Sequence, residues 1–229
     1  MIGAIVLDIE GTTSSTAFVT RTLFPYSRAH FAEYLAGHRD DVELARVLAA
    51  IRAELGDPNA DDARIVHQLE AWVDADAKVE PLKAVQGWIW QAGFASGDLV
   101  AHFYPDVVPV LRRWHADGYE LAVYSSGSVV AQRAWFGHST EGDLNPLIAH
   151  NFDIENAGPK RDADSYRKIA GALGREPRTL MFVSDLTAEL DAARAAGWHT
   201  IGVCRPGEPN EHTGVGDHVA VASFAAIEI

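Results

Sequence analysis

The chain has 229 residues, 48% of them hydrophobic, and a formal net charge of −13. Such a chain folds around a core, and its summed field repels polyanions, which argues against nucleic acid and anionic membrane surfaces as partners. The single cysteine, Cys204, rules out an internal disulfide, and no apolar run reaches membrane-spanning length, so a cytoplasmic protein is expected.

The first predicted element is the apolar run Ala4-Ile5-Val6-Leu7, which ends abruptly in Asp8-Ile9-Glu10-Gly11-Thr12-Thr13. It reads as a buried parallel strand, and in an open α/β sheet ligands bind just beyond the carboxyl ends of such strands. Two acids this close repel unless a cation lies between them, and Mg²⁺ with its preference for oxygen ligands suits the place. Asp8 is then a candidate nucleophile and metal ligand, and Glu10 a candidate general acid or base. The competing reading is an acid pair that caps a turn.

Gly11 to Tyr26 mixes Thr and Ser with Phe18, Phe24 and Pro25 and predicts a loop folding over the site. From Ser27 to Ser96 the pattern is helical throughout: Phe31, Tyr34 and Leu35 form one apolar face, and Val42, Leu44, Val47, Leu48 and Ile51 form another. Pro81 opens a further helix. An all-helical cap inserted into an α/β core is expected, with 27–96 as the cap and 1–26 with 97–229 as the core. Trp88 and Trp90 in the cap are read as packing residues, with contact to a substrate tail as the alternative.

The core resumes with a helix from Pro105 to Asp117 and a strand, Tyr119 to Tyr124, that ends in Ser125-Ser126-Gly127-Ser128. Hydroxyls and backbone N–H groups at the following helix start suit a phosphate, although a serine cap explains the same residues. Phe152-Asp153 reads as a short edge segment. Lys160, ahead of a helix through Tyr166 and Ile169, is either surface or the charge that neutralises a phosphate. Thr179 to Asp185 is a strand ending in an acid, with Glu189 four residues on, on the same helical face. His199 to Arg205 makes another strand, with Cys204 as a buried, inert thiol, and Val219 to Ile229 closes the fold.

The order strand-Asp8-x-Glu10, strand-Ser125-Ser126-Gly127, Lys160 before a helix, strand-Ser184-Asp185 resembles the haloacid-dehalogenase-like phosphatases. That resemblance implies an α/β, doubly wound, mostly parallel sheet. It also implies Asp8 as nucleophile, Mg²⁺ held by Asp8, Asp185 and the Glu10 carbonyl, and Ser125, Ser126 and Lys160 on the phosphoryl group. Glu189 would orient a metal-bound water. The superfamily's usual Asp two residues after the nucleophile is Glu10 here. With Tyr124 to Ser128, Phe136 to Asp143 and Ser165 to Ile169, this departure is similar to the enolase-phosphatase branch of methionine salvage. The expected partner is one small phosphorylated substrate, and the chain is expected to act as a monomer.

Overall fold

A computed structural model describes residues 1–75, 77 and 79–229. By internal contacts the chain divides into two units, residues 1–16 with 100–229, and residues 17–99. Among the described residues no helix is long and apolar enough to cross a membrane.

The chain begins with β1 (Ala4–Leu7), every residue of which is buried. After the turn at Gly11 it becomes helical at α1 (Thr16–Phe18), passes through a π turn (Val19–Leu23) and continues as α2 (Phe24–Gly37). The loop expected from Gly11 to Tyr26 is therefore helical from Thr16 onward. Two physical reasons account for the difference. A distant carboxylate, Glu208, accepts from the Thr16 N–H at 3.2 Å and satisfies the helix start. The π turn, closed by Phe24 N to Val19 O, widens the helix just ahead of Pro25, which has no N–H to offer it.

The helical unit continues with α3 (Val42–Glu54), α4 (Asp62–Asp74) and α5 (Glu80–Ser96). Asp41 caps α3 through the Glu43 and Leu44 N–H groups, and Asp61 caps α4 through that of Arg64. Phe31, Leu35, Leu44, Ile51, Ile65, Leu69, Leu82, Val85 and Ile89 form its core, while Val42, counted in the apolar face of α3, is 75% exposed at the helix start. The unit reaches beyond the expected 27–96 at both ends. Leu23 is buried and its carbonyl accepts from Trp90 Nε1 at 2.8 Å, Phe24 stacks on Trp90, and Leu99 N donates to Gly93 O at 2.9 Å. Trp88 stacks on Tyr34 at 6.3 Å, so both tryptophans serve the packing of this unit.

The α/β unit resumes with α6 (Val107–Ala116), β2 (Glu120–Tyr124), α7 (Val129–Gly137), β3 (His150–Phe152), α8 (Ala163–Leu173), β4 (Leu180–Ser184), α9 (Thr187–Ala195), β5 (His199–Val203) and β6 (Val219–Val221). Among the described residues the strands form one six-stranded sheet in the order β3-β2-β1-β4-β5-β6. Every pairing is parallel. Connections run outward from β1 through β2 to β3 on one side and from β4 through β5 to β6 on the other. The switch point lies between β1 and β4, and sheets of this kind bind ligands just beyond the strand ends there. Ala4, Val6, Ala122, Tyr124, Tyr166, Ile169, Phe182, Leu190 and Trp198 pack one core cluster against the sheet.

Candidate active site

β1 and β4 run in register, Leu7 opposite Val183, and the ladder continues one step as Asp8 N donates to Val183 O at 3.0 Å. Asp8 and Asp185 thus leave adjacent strands on the two sides of the switch point. Both are buried, at 4% and 5% exposure. Asp8 Oδ1 is ion-paired with Lys160 Nζ, and Asp8 Oδ2 accepts from Thr12 Oγ1 at 3.1 Å. Thr13 Oγ1 donates to the Asp8 carbonyl at 3.1 Å. Gly11 makes this turn possible: its φ is +75°, and a Cβ there would lie 2.5 Å from Asp185 Oδ2.

Lys160 is drawn in by its loop as well as by charge. Tyr124 Oη donates to Gly158 O at 2.7 Å, Ser165 Oγ to Pro159 O at 2.8 Å, and Tyr166 Oη to Lys160 O at 2.8 Å. Its ammonium also pairs with Glu189 Oε2 at 2.7 Å, which in turn accepts from Ser184 Oγ at 2.9 Å. Glu189 is therefore an anchor for the lysine, a placement that its position four residues after Asp185 does not disclose. Burial alone would lower the Lys160 pKa, but Asp8 and Glu189 outweigh it and hold the lysine above its ordinary value. Burial and the neighbouring Asp8 push Glu189 up.

Asp185 is pushed up to about 8 by burial, Asp8 and Glu189. Among the described residues its buried Oδ1 has no hydrogen-bond partner. Asp8, Asp185 and Glu189 face one ammonium, so with all groups ionised the cluster has excess negative charge and an unsatisfied carboxylate oxygen. This donor set fits a hard divalent ion, which takes one or two carboxylates and completes its shell with backbone oxygens and water. Among the described residues no group of three His, Cys, Asp or Glu side chains is disposed to hold a metal, so a site here rests on the two aspartates with main-chain oxygen.

The structure brings together Asp8, Lys160, Asp185 and Glu189. Glu10 sits one residue beyond Ile9 in the turn that Gly11 N closes on Ser14 O at 2.7 Å, and it is solvent-exposed, outside the buried cluster. Ser125 and Ser126 follow β2, the other neighbour of β1. Ser125 Oγ accepts from Gly127 N at 3.3 Å, and Ser126 is exposed. The cap of α7 is Ser128, whose Oγ accepts from Ala131 N.

Sequence reasoning passed over Thr12, Arg205, Glu208 and Asn210. Asn210 Nδ2 donates to the carbonyls of Asp185 (2.8 Å) and Val203 (2.9 Å), tying the site acid to the end of β5. Glu208 accepts from Ser15 Oγ at 2.6 Å and from Tyr104 Oη. The signal available was a cluster of polar residues, Arg205 to Asn210, directly after a strand that ends beside β4.

This arrangement, with parallel strands delivering Asp8 and Asp185 to one switch point and a buried lysine between acids, defines a class. The chain belongs to the haloacid dehalogenase-like hydrolase family, whose model matches residues 2–197. Within that class it is 56% identical over 228 residues to Enolase-phosphatase E1 of Streptomyces avermitilis, covering 100% of this chain and 95% of the relative. It is 48% identical over 229 residues to Enolase-phosphatase E1 of Thioalkalivibrio sulfidiphilus, covering all of both chains. Among solved structures it matches the UTR4 protein of Saccharomyces cerevisiae with a TM-score of 0.81 at 28% identity, over 99% of this chain and 100% of that one.

Proposed function

We propose that the protein is a cytoplasmic enolase-phosphatase of methionine salvage. It enolises 2,3-diketo-5-methylthiopentyl-1-phosphate and removes its phosphate, leaving the acireductone 1,2-dihydroxy-3-keto-5-methylthiopentene. The observation that carries this reading is the buried Asp8–Lys160 pair at the switch point, with Glu10 two residues after the nucleophile. The name borne by the relatives supports it.

Uncatalysed phosphate-monoester hydrolysis is slow enough that enzymes supply up to ~10²¹-fold acceleration, so several effects must act together. Asp8 attacks phosphorus, the bond from phosphorus to the substrate oxygen breaks, and the phosphoryl group rests on the Asp8 carboxylate. Water then cleaves the acyl phosphate and regenerates Asp8. Glu10 moves the proton alpha to the carbonyl in enolisation, its extra methylene reaching outward from the turn. It also protonates the departing oxygen. Lys160 stabilises charge on the phosphoryl oxygens, with Ser125 and Ser126 as further donors, and Glu189 keeps the ammonium in place. Asp8, Asp185 and the Glu10 carbonyl would hold Mg²⁺, which when bound supplies positive charge at the phosphoryl group.

Incubating the purified protein with the diketo phosphate and Mg²⁺, while following enol absorbance and inorganic phosphate, tests the proposal. Both signals are expected, and both are expected to stop on chelation. Phosphate release without an enol signal, or faster turnover of a sugar phosphate, would overturn the substrate assignment.

A further inference from the structure

Arg205 lies after β5 and is 3% exposed. It is not among the residues that hold the phosphoryl group in the proposed reaction, yet all three of its guanidinium nitrogens are hydrogen-bonded. Nε and Nη2 donate to the Thr12 carbonyl at 3.1 and 3.0 Å, and Nη1 donates to both carboxylate oxygens of Asp106 at 2.7 Å. The plane lies over the Tyr104 ring at 4.2 Å. Asp106 is itself held by Ser223 Oγ and Phe224 N, each at 2.7 Å. An arginine fork directed at one backbone carbonyl, with its far end fixed by a carboxylate, a hydroxyl and a main-chain N–H, is a rigid strut.

The end of that strut is one bond path from the nucleophile. Thr12, whose carbonyl Arg205 grips, donates its side-chain hydroxyl to Asp8 Oδ2. Oδ1 of the same carboxylate is held by Lys160, so the orientation of the Asp8 plane depends on Thr12 and Lys160 together. Thr12 is fully buried and lies in the turn that Gly11, at a φ of +75°, makes possible. The turn's own hydrogen bonds, from the Thr12 and Thr13 N–H groups to the Ile9 carbonyl and from Gly11 N–H to that of Ser14, set its backbone path, and the grip of Arg205 on the Thr12 carbonyl adds the constraint that holds the Thr12 hydroxyl to the few tenths of an ångström that in-line attack demands.

We propose that Arg205 is a positioning residue for Asp8, acting through the Thr12 carbonyl and hydroxyl and braced by Asp106 and Tyr104. This inference rests on the reading of Asp8 as the nucleophile of a phosphatase. Its signature is a coupling: Arg205 affects kcat only while Thr12 has a hydroxyl with which to pass the effect on.

A double-mutant cycle on the full chain tests it, with phosphate release from the diketo phosphate and from para-nitrophenyl phosphate as readouts and thermal melting recorded for each variant. Thr12→Val is expected to lower kcat about tenfold, the order of one hydrogen bond to a charged group. Arg205→Lys, which cannot form the fork, is expected to lower kcat about tenfold with KM nearly unchanged, and the double variant to show the same about tenfold loss as either alone. A double variant down about a hundredfold, the product of the separate losses, would show that Arg205 serves the fold alone and would overturn the proposal. If Arg205→Lys does not fold, Asp106→Asn, which loosens the brace and leaves Arg205 in place, takes its position in the same cycle with the same two outcomes. Wild-type protein that releases phosphate from neither substrate would overturn the phosphatase reading and this inference with it, whereas active wild type with multiplicative losses overturns this inference alone.

Discussion

A buried ammonium between two carboxylates is costly to assemble and costlier to break, and Lys160 is the residue at which fold and proposed chemistry meet. Removing one partner of such a cluster leaves uncompensated buried charge. Lys160→Met is therefore expected to lower unfolding stability by about 3–5 kcal/mol in urea titration. It is also expected to abolish phosphate release. The pKa of Lys160 is raised in the folded state, so its contribution is complete below the ordinary lysine value and is lost only as pH rises through the raised one. The lysine's own titration should accordingly appear only as a shrinking of the stability difference under strongly alkaline conditions, while protonation of the Asp185 and Glu189 carboxyls left unpaired in the variant narrows it as pH falls through neutral. Asp8→Asn tests the neighbouring carboxylate: phosphate release should disappear while the chain stays folded, because an amide keeps the shape but cannot attack phosphorus.

Two elements around the site support predictions of their own. In the turn after β1, Gly11 has a φ of +75°, and a Cβ would come within 2.5 Å of Asp185 Oδ2. Gly11→Ala should thus combine a left-handed backbone penalty of about 1–2 kcal/mol with displacement of Asp185. The check is a lowered melting temperature together with a weakened Mg²⁺ requirement curve. The second element is the segment after β5. Burial would raise the Glu208 pKa, but hydrogen bonds from Ser15, Thr16 and Tyr104 outweigh it and hold the carboxyl below its ordinary value. A depressed carboxyl contributes stability that is fully present above the unfolded value and is lost as pH falls through the folded one. Glu208→Gln should be less stable than wild type at neutral pH, with the difference closing below about pH 4, the ordinary carboxylate range. A gap that stayed constant down to acid pH would show that the Glu208 charge contributes nothing to holding the start of α1.

At the scale of the molecule, the charge of −13 opposes the approach of any phosphorylated substrate while the lysine within the α/β unit attracts it. The two effects differ in range. Raising ionic strength from 0.01 to 0.15 M shortens the Debye length from about 30 to about 8 Å and removes mainly the long-range repulsion. At fixed free Mg²⁺, kcat/KM for the phosphorylated substrate should rise over that interval, with kcat unchanged. A fall would show that the local positive field governs encounter.

How much of this was legible beforehand follows from the range of the forces involved. The strands β1, β2, β4 and β5, the acids and hydroxyls at their ends, and the helical stretch between them are local patterns, set by apolar periodicity and by what each residue can offer at a strand end. So is the family, because its motifs are short and ordered. The π turn and helix start near Thr16 were hidden because their support comes from Glu208, almost two hundred residues away in the chain. The same holds for Glu189, whose spacing from Asp185 is visible but whose partner, Lys160, is chosen by the crossing of β4 and the loop ahead of α8. Arg205 and Asn210 bind main-chain carbonyls, and a carbonyl leaves no trace in a sequence. The chain by itself thus determined which chemical groups were present and in what order they left the sheet. Only the tertiary structure decided which of them meet, because a buried charge settles on whichever partner the packed strands bring within hydrogen-bonding distance.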